Sequence, residues 1–273
     1  MVLPIVKKLV HKALGRRRIQ SLRRLVSTGS IHTQPISVCR PESGKIAVLA
    51  PHMDDEVLGC GGTIAMHAKA GADVTVIFLT DGRYGGSAEA ALPEAERYRG
   101  QLALVDIRKE EARCAGAILG VRNMLFLDAE DGRLRGDEHL PKRLRNVLQD
   151  ERPDIVYLPS FLDNHPDHRA ASDALLTAVR GAELDFECRD YEVWTPLFPN
   201  LVVEIDAMIE LKKRALACYR SQLAHMDFLH TSIGLNAFRS SAVGCKEARF
   251  VEAFFGLPLA EFRRFHRAKS RVL

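Results

Sequence analysis

From Lys45 onward the chain alternates short apolar runs with helical patterns, and this alternation restricts the fold more than any other feature. The runs lie at 45–50, 73–79, 123–127 and 154–158. Helical patterns fall between and after them, at 61–70, 97–119, 138–150 and 168–180. Such alternation predicts an α/β fold, with parallel strands covered by helices on both faces and right-handed crossovers. Val74-Thr75-Val76-Ile77-Phe78-Leu79 suits a strand buried on both sides. After residue 188 the pattern changes. Tyr191–Trp194 and Leu201–Ile205 read as strands and 206–221 as a helix. An irregular segment and a last strand, Phe250–Phe255, follow.

Two polar clusters stand directly behind two of these runs. Pro51-His52-Met53-Asp54-Asp55-Glu56 follows 45–50, and His165-Pro166-Asp167-His168 follows 154–158. In open α/β sheets the ligand crevice lies beyond the carboxyl ends of the strands, so the two clusters are expected to converge there. His52, Asp55 and His168 form a candidate metal-ligand set, which leaves a position open for water. Asp54 beside them suits a general base, and it also suits a helix N-cap. Glu56 is placed to offset the helix dipole or to support the ligands. His165, three residues before His168, is expected to face substrate as a protonated imidazole that stabilises an oxyanion. Asp167 is expected to orient an imidazole or to hold Asp54; ordinary turn chemistry also explains His-Pro-Asp. Gly59-Cys60-Gly61-Gly62 lacks dinucleotide-binding spacing, and Cys60 suits a small buried residue better than a nucleophile.

At 273 residues the chain has room for one large domain or two small ones. No stretch approaches the roughly 18 apolar residues of a membrane span. Six cysteines, at 39, 60, 114, 188, 218 and 245, include no C-x-x-C pair. They predict reduced thiols in a cytoplasmic enzyme rather than a disulfide framework. The chain holds 39 Lys/Arg and 35 Asp/Glu; residues 1–41 hold nine Lys/Arg and no acid, so the remainder has 30 against 35, a net −5.

Residues 2–14 read as a basic amphipathic helix. Ile5, Val6, Leu9, Val10, Ala13 and Leu14 recur at helical spacing, and Lys7, Lys8, His11 and Lys12 fill the other side. Residues 27–44 read as a linker. The expected division is a basic arm and linker over 1–44 and a catalytic domain over 45–273. Residues 1–26 suit an anionic membrane surface, at the inner face of the membrane, and equally suit docking on the domain or on a partner subunit. The arm lacks the interleaved aromatics of a nucleic-acid binder.

The chain resembles the PIG-L/LmbE family of metal-dependent N-deacetylases, whose first motif is P-H-P-D-D-E before a glycine-rich helix start and whose second is H-x-D-H. Weaker similarity runs through Thr80-Asp81-Gly82, Arg108-Lys109-Glu110-Glu111-Ala112, Phe126-Leu127-Asp128 and Tyr219-Arg220-Ser221-Gln222. The resemblance covers roughly 45–255. It implies a Rossmann-like sheet and hydrolysis of an N-acetyl group on an N-acetylglucosamine-type sugar. It also implies zinc on His52, Asp55 and His168, with Fe2+ or another divalent ion able to substitute. Asp54 matches the family's base, His165 its oxyanion stabiliser and Asp167 its orienting aspartate. Met53 replaces a proline, which is expected to loosen the turn. Arg83 stands where many members carry Glu, and Asp163 and Asn164 precede the second motif. These three are the expected substrate contacts. The rival readings are a phosphoester hydrolase, which would more often use a second metal, and a catalytically silent membrane-surface scaffold.

Overall fold

The structure is a computed structural model that describes residues 36–86, 93–245 and 247–269. The basic arm, residues 1–26, lies outside the described residues. The sheet has eight strands: β1 (Ser37–Val38), β2 (Lys45–Ala50), β3 (Asp73–Thr80), β4 (Asn123–Ala129), β5 (Ile155–Pro159), β6 (Glu187–Tyr191), β7 (Leu201–Glu204) and β8 (Val251–Pro258). Their order is β1-β7-β8-β6-β5-β2-β3-β4. Strands β4, β3, β2, β5 and β6 are parallel. β8 runs antiparallel between β6 and β7, in the part of the chain after residue 188 where the sequence pattern changes. β1, within the stretch read as linker, adds a parallel edge strand beside β7.

The helices are α1 (Asp55–Lys69), α2 (Glu94–Leu119), α3 (Leu140–Glu151), α4 (Pro166–Ala178), α5 (Ile209–Leu216), α6 (Arg220–Leu223), α7 (Phe228–Ala242) and α8 (Leu259–Lys269). Alternation along β2 assigns the faces, since successive side chains point to opposite sides. Ile46, Val48 and Ala50 pack with Val57 and Ile64 of α1, Ala112 of α2 and Leu216 of α5. Ala47 and Leu49 pack with Leu144 and Leu148 of α3, Leu175 of α4 and Phe262 of α8. Both faces of the sheet are therefore covered, as a central parallel strand requires.

The site follows from the strand order. The chain leaves β2 toward β3 on one side, while β5 lies on the other. The loops after β2 and β5 therefore diverge and open a crevice at the topological switch point. Both polar clusters sit there.

Several expectations are corrected. Tyr191 ends β6 instead of starting a strand through Trp194. The helix expected at 206–221 is a short 3-10 turn, α5 and α6, broken between Leu216 and Arg220. The irregular segment contains α7. Cys114 of α2 and Cys218 are paired as a disulfide with Cα atoms 6.0 Å apart, contrary to the expectation of six free thiols. Packing of α2 against α5 brings together two residues 104 positions apart, which spacing alone does not reveal.

Candidate active site

The turn after β2 is pinned from several sides. Thr80 donates to the Pro51 carbonyl through its backbone N and its Oγ1, at 3.0 and 2.7 Å. The His52 backbone N donates to Asp55 Oδ2 at 2.8 Å. Met53 is fully buried, and Arg108 from α2 donates to its carbonyl at 2.7 Å and to that of Gly82 at 2.9 Å. A Cβ on Gly82, at φ +63°, would lie 2.8 Å from Met53 Cε. The turn is tight, not loosened, where methionine replaces proline.

Asp54 adopts φ 136° and ψ −28° and makes no side-chain cap hydrogen bond, so the N-cap reading fails. A non-glycine residue held in a sparsely populated region costs about 1–3 kcal/mol and points to function. Its backbone N donates to Glu56 Oε2 at 3.1 Å, and Glu56 Oε1 accepts from the Tyr219 hydroxyl. Glu56 is therefore the brace beneath Asp54. Burial pushes the Asp54 carboxyl up to about 7 against the pull of the Arg108 guanidinium, 3.7 Å away.

The ligand candidates converge on one oxygen. Asp55 Oδ2 lies 3.2 Å from His52 Nδ1 and 3.2 Å from His168 Nε2. In a tetrahedral zinc site, ligands about 2.0–2.1 Å from the ion stand about 3.3 Å from one another. The second nitrogen of each imidazole meets another carboxylate. His52 Nε2 is 3.1 Å from Asp131 Oδ1 and 3.4 Å from Asp167 Oδ2, and His168 Nδ1 is 3.3 Å from Asp163 Oδ1. Carboxylates behind ligating histidines fix ring orientation in metal sites. His168 is fully buried, and neither of its ring nitrogens makes a hydrogen bond of acceptable geometry. These residues fit a divalent metal. His165 offers a further ligand atom within 4.8 Å of those of His52 and His168, and His52, Asp131 and Asp167 form a second such group.

The electrostatics point the same way. Burial would lower the His52 imidazole, but Asp131, Asp167 and Asp55 outweigh it and hold it well above its ordinary value. Burial likewise opposes the charge on His168, yet Asp55 and Asp163 push it up to about 9. Burial disfavours the Asp55 carboxylate, but His168 and His52 hold it well below the usual range. Four buried carboxylates thus demand positive charge at two imidazoles, a demand that a dication also meets.

His165 caps α4. Its Nδ1 accepts from the Asp167 backbone N at 3.2 Å. That bond leaves the proton of the neutral ring on Nε2. Burial, His52 and His168 all lower its pKa. The cap bond and the lowered pKa both favour a neutral ring over the expected imidazolium. Asp167 accepts from the Gly132 and Leu134 backbone N–H groups at 2.7 and 3.2 Å and faces His52. Its carboxylate stands against the His52 imidazole, the placement that the first of its two expected roles requires.

The profile described as GlcNAc-PI de-N-acetylase matches residues 47–179. A diacetylchitobiose deacetylase of Thermococcus kodakarensis is 33% identical over 194 residues, 65% of this chain and 70% of that protein. The chain belongs to the PIG-L family. A solved N,N'-diacetylchitobiose deacetylase from Pyrococcus horikoshii superimposes with a TM-score of 0.66 at 26% identity, covering 79% of this chain and 84% of that one. A 4-oxalmesaconate hydratase of Pseudomonas putida is 33% identical over 127 residues, 44% of this chain and 46% of that protein.

In this PIG-L protein a cavity of about 300 Å³ opens over Asp54, Asp55, His52 and His165. The expected substrate contacts, Arg83, Asp163 and Asn164, are not among the residues lining this cavity. Arg83 folds back onto Asp81, with Nε and Nη2 at 2.8 and 2.5 Å from Oδ2, and its neighbours Tyr84 and Gly85 line the cavity instead. Asp163 is fully buried beneath the site, where it accepts from the backbone N–H groups of His165, Trp194 and Thr195. Asn164 is exposed; its carbonyl accepts from Arg169. Motif reading overlooked Asp131, Trp194 and Phe228, and saw Arg108 and Gln222 only inside weakly similar segments. The available signal for Asp131 was its place, in an Asp-Gly turn just past the end of β4.

Proposed function

We propose that this chain hydrolyses the N-acetyl amide of an amino sugar, with a metal held by His52, Asp55 and His168. The carrying observation is the pair of imidazoles that share Asp55 Oδ2 and are each backed by a carboxylate. Zinc, when bound there, supplies Lewis-acid polarisation of the amide carbonyl and lowers the pKa of a bound water. Asp54 takes the proton of the attacking water. The Nε2–H of His165 donates to the oxygen that becomes negative as the carbonyl turns tetrahedral. Asp54, now protonated, faces the same cavity and returns the proton to the departing amine. Free amino sugar and acetate result.

Acetate release from a panel of N-acetylglucosamine derivatives is the expected activity. The hydratase relative motivates a control: water addition to an unsaturated carboxylate, with no acetate from any amino sugar, would replace this reading.

Metal analysis tests the ligands. His52→Ala and His168→Ala are each expected to lose bound zinc, and His165→Ala to retain it. Retention of full stoichiometry in His52→Ala and His168→Ala would refute the assignment. Loss in His165→Ala would move that residue into the ligand set.

We also propose that residues 1–26, outside the described residues, hold the enzyme on an anionic membrane surface. No helix among the described residues is long and apolar enough to cross a membrane. Eight Lys/Arg in the first 24 residues, at about 1 kcal/mol each near an anionic surface, suffice for reversible attachment. The full chain is expected to sediment with anionic vesicles at low salt, and a 27–273 form is expected to stay in solution. Equal behaviour of the two forms would reject this role.

A further inference from the structure

A second cavity, of about 200 Å³, adjoins the active-site cavity. The two share Leu58, Trp194 and Phe228 as a common wall. The Trp194 and Phe228 rings meet edge to face, with centroids 5.9 Å apart. Val193, Met226 and Leu235 complete the apolar lining of the second chamber. Trp194 and Met226 are 45% and 42% exposed, so the chamber has a solvent-facing apolar rim.

The polar residues of this chamber already have internal partners. The Glu192 carboxylate accepts from Arg239 Nε at 3.0 Å, from Arg239 Nη2, and from the Leu197 backbone N at 2.7 Å. Ser232 Oγ donates to the Leu58 carbonyl at 3.2 Å, and Thr231 Oγ1 donates back into its own helix. Of the residues lining this chamber, only Trp194 keeps a side-chain donor for a guest, its indole N–H. A second sugar would have this one donor to replace its water hydrogen bonds, at a cost for every other buried hydroxyl. An alkyl or aryl group loses nothing. An apolar cavity of about 150 Å³ is large enough for benzene, so this volume admits a ring or a short chain.

We infer that the second chamber binds an apolar aglycone carried by the amino sugar. The inference rests on the deacetylase reading for its orientation. An acetamido group at the sugar's second carbon faces Asp54 and His165, and a substituent on the neighbouring anomeric carbon then passes the Leu58–Trp194–Phe228 wall. The substrate class is an N-acetylglucosaminide with an alkyl or aryl anomeric substituent, and Trp194, Met226 and Leu235 determine specificity.

Trp194 is the chain's only tryptophan, so its fluorescence reports binding at the wall that the two cavities share. The zinc-loaded full chain is titrated with methyl, butyl and hexyl N-acetylglucosaminides of both anomers, and acetate release is followed in parallel. Kd is expected to fall about fourfold for each methylene buried, leaving hexyl more than tenfold tighter than methyl. Leu235→Glu is expected to abolish this dependence, as is Met226→Glu, whose exposed position tolerates charge. The ratio of hexyl to methyl within one protein is read, so a general loss of affinity cancels. Equal Kd values for methyl and hexyl in the unaltered chain would overturn the inference, as would an undiminished ratio in both variants. If the trend holds but no glycoside yields acetate, the chamber stands and the deacetylase reading fails. If acetate appears with no dependence of Kd or kcat/KM on chain length, the deacetylase reading stands and the chamber is refuted.

Discussion

Asp54→Asn is expected to reduce turnover by on the order of 10²–10⁴-fold, the usual consequence of losing a general base, while leaving bound metal and fold intact. The change is nearly isosteric. It removes a carboxylate that is 6% exposed, makes no cap hydrogen bond and lies outside the Asp55-centred ligand set. Burial has already raised this carboxyl to about 7, where a base still accepts a proton and passes it on readily; a cation on the neighbouring ligands pulls it down again. Steady-state acetate release and metal content, measured on the same preparation, check the outcome. Turnover near that of the unaltered chain would assign proton abstraction to another group, with Glu56 the next carboxylate in the turn. Loss of metal together with activity would make Asp54 a ligand.

The parallel half of the fold was legible because its strands are buried on both faces. Continuous apolar runs such as Val74–Leu79 have few other uses. The switch-point position of the two polar clusters followed from that alternation. The start of α1 was not legible. Gly59, Gly61 and Gly62 depress helix propensity, so the pattern suggests a start near 61 rather than at Asp55. Packing requires these glycines: a Cβ at Gly59 would lie 2.1 Å from the Tyr191 ring, and one at Gly62 would lie 2.7 Å from Ile205. Helix α7 escaped for the opposite reason. Its buried positions are Ser232, Asn236, Arg239 and Ser240, while Phe238 is 59% exposed. An apolar period therefore points to the wrong face. Those polar side chains satisfy Leu58, Val251 and Glu192 across the interface. Asp131 was hidden because a lone aspartate in a turn acquires meaning only when β4 carries it to His52. Arg83, Asp163 and Asn164 were placed by adjacency to a motif, and adjacency in sequence does not specify side-chain direction.

Replacing Glu252 by Leu is expected to destabilise the protein by about 3–5 kcal/mol, the cost of leaving a buried charge without its partner. Thermal unfolding should fall by on the order of 10 °C for a domain of this size. The reason lies in the kink of α1 at Cys60, whose φ and ψ of −144° and 24° interrupt the helix. A regular helix would pair the Leu58 carbonyl with the Gly62 N–H. Here Lys212 Nζ donates to the Leu58 carbonyl at 2.9 Å, and Glu252 Oε1 accepts from the Gly62 N–H at 2.9 Å. Glu252 Oε2 also accepts from the Thr63 N–H and Oγ1 at 2.7 and 2.6 Å. Lys212 and Glu252 meet at 2.7 Å, both side chains without solvent exposure. The ion pair is thus inserted into a broken rung of the helix. Many buried ion pairs can be exchanged for apolar side chains with little loss. This one is expected to differ, because Lys212→Met with Glu252→Leu leaves the Gly62 and Thr63 N–H groups unpaired, at about 1–3 kcal/mol each, and leaves the Leu58 carbonyl only its bond from Ser232. The double variant should therefore remain at least as unstable as Glu252→Leu alone by urea denaturation. Recovery to the stability of the unaltered chain would show that the pair only neutralises itself and does not complete the helix that carries Asp55 and Glu56.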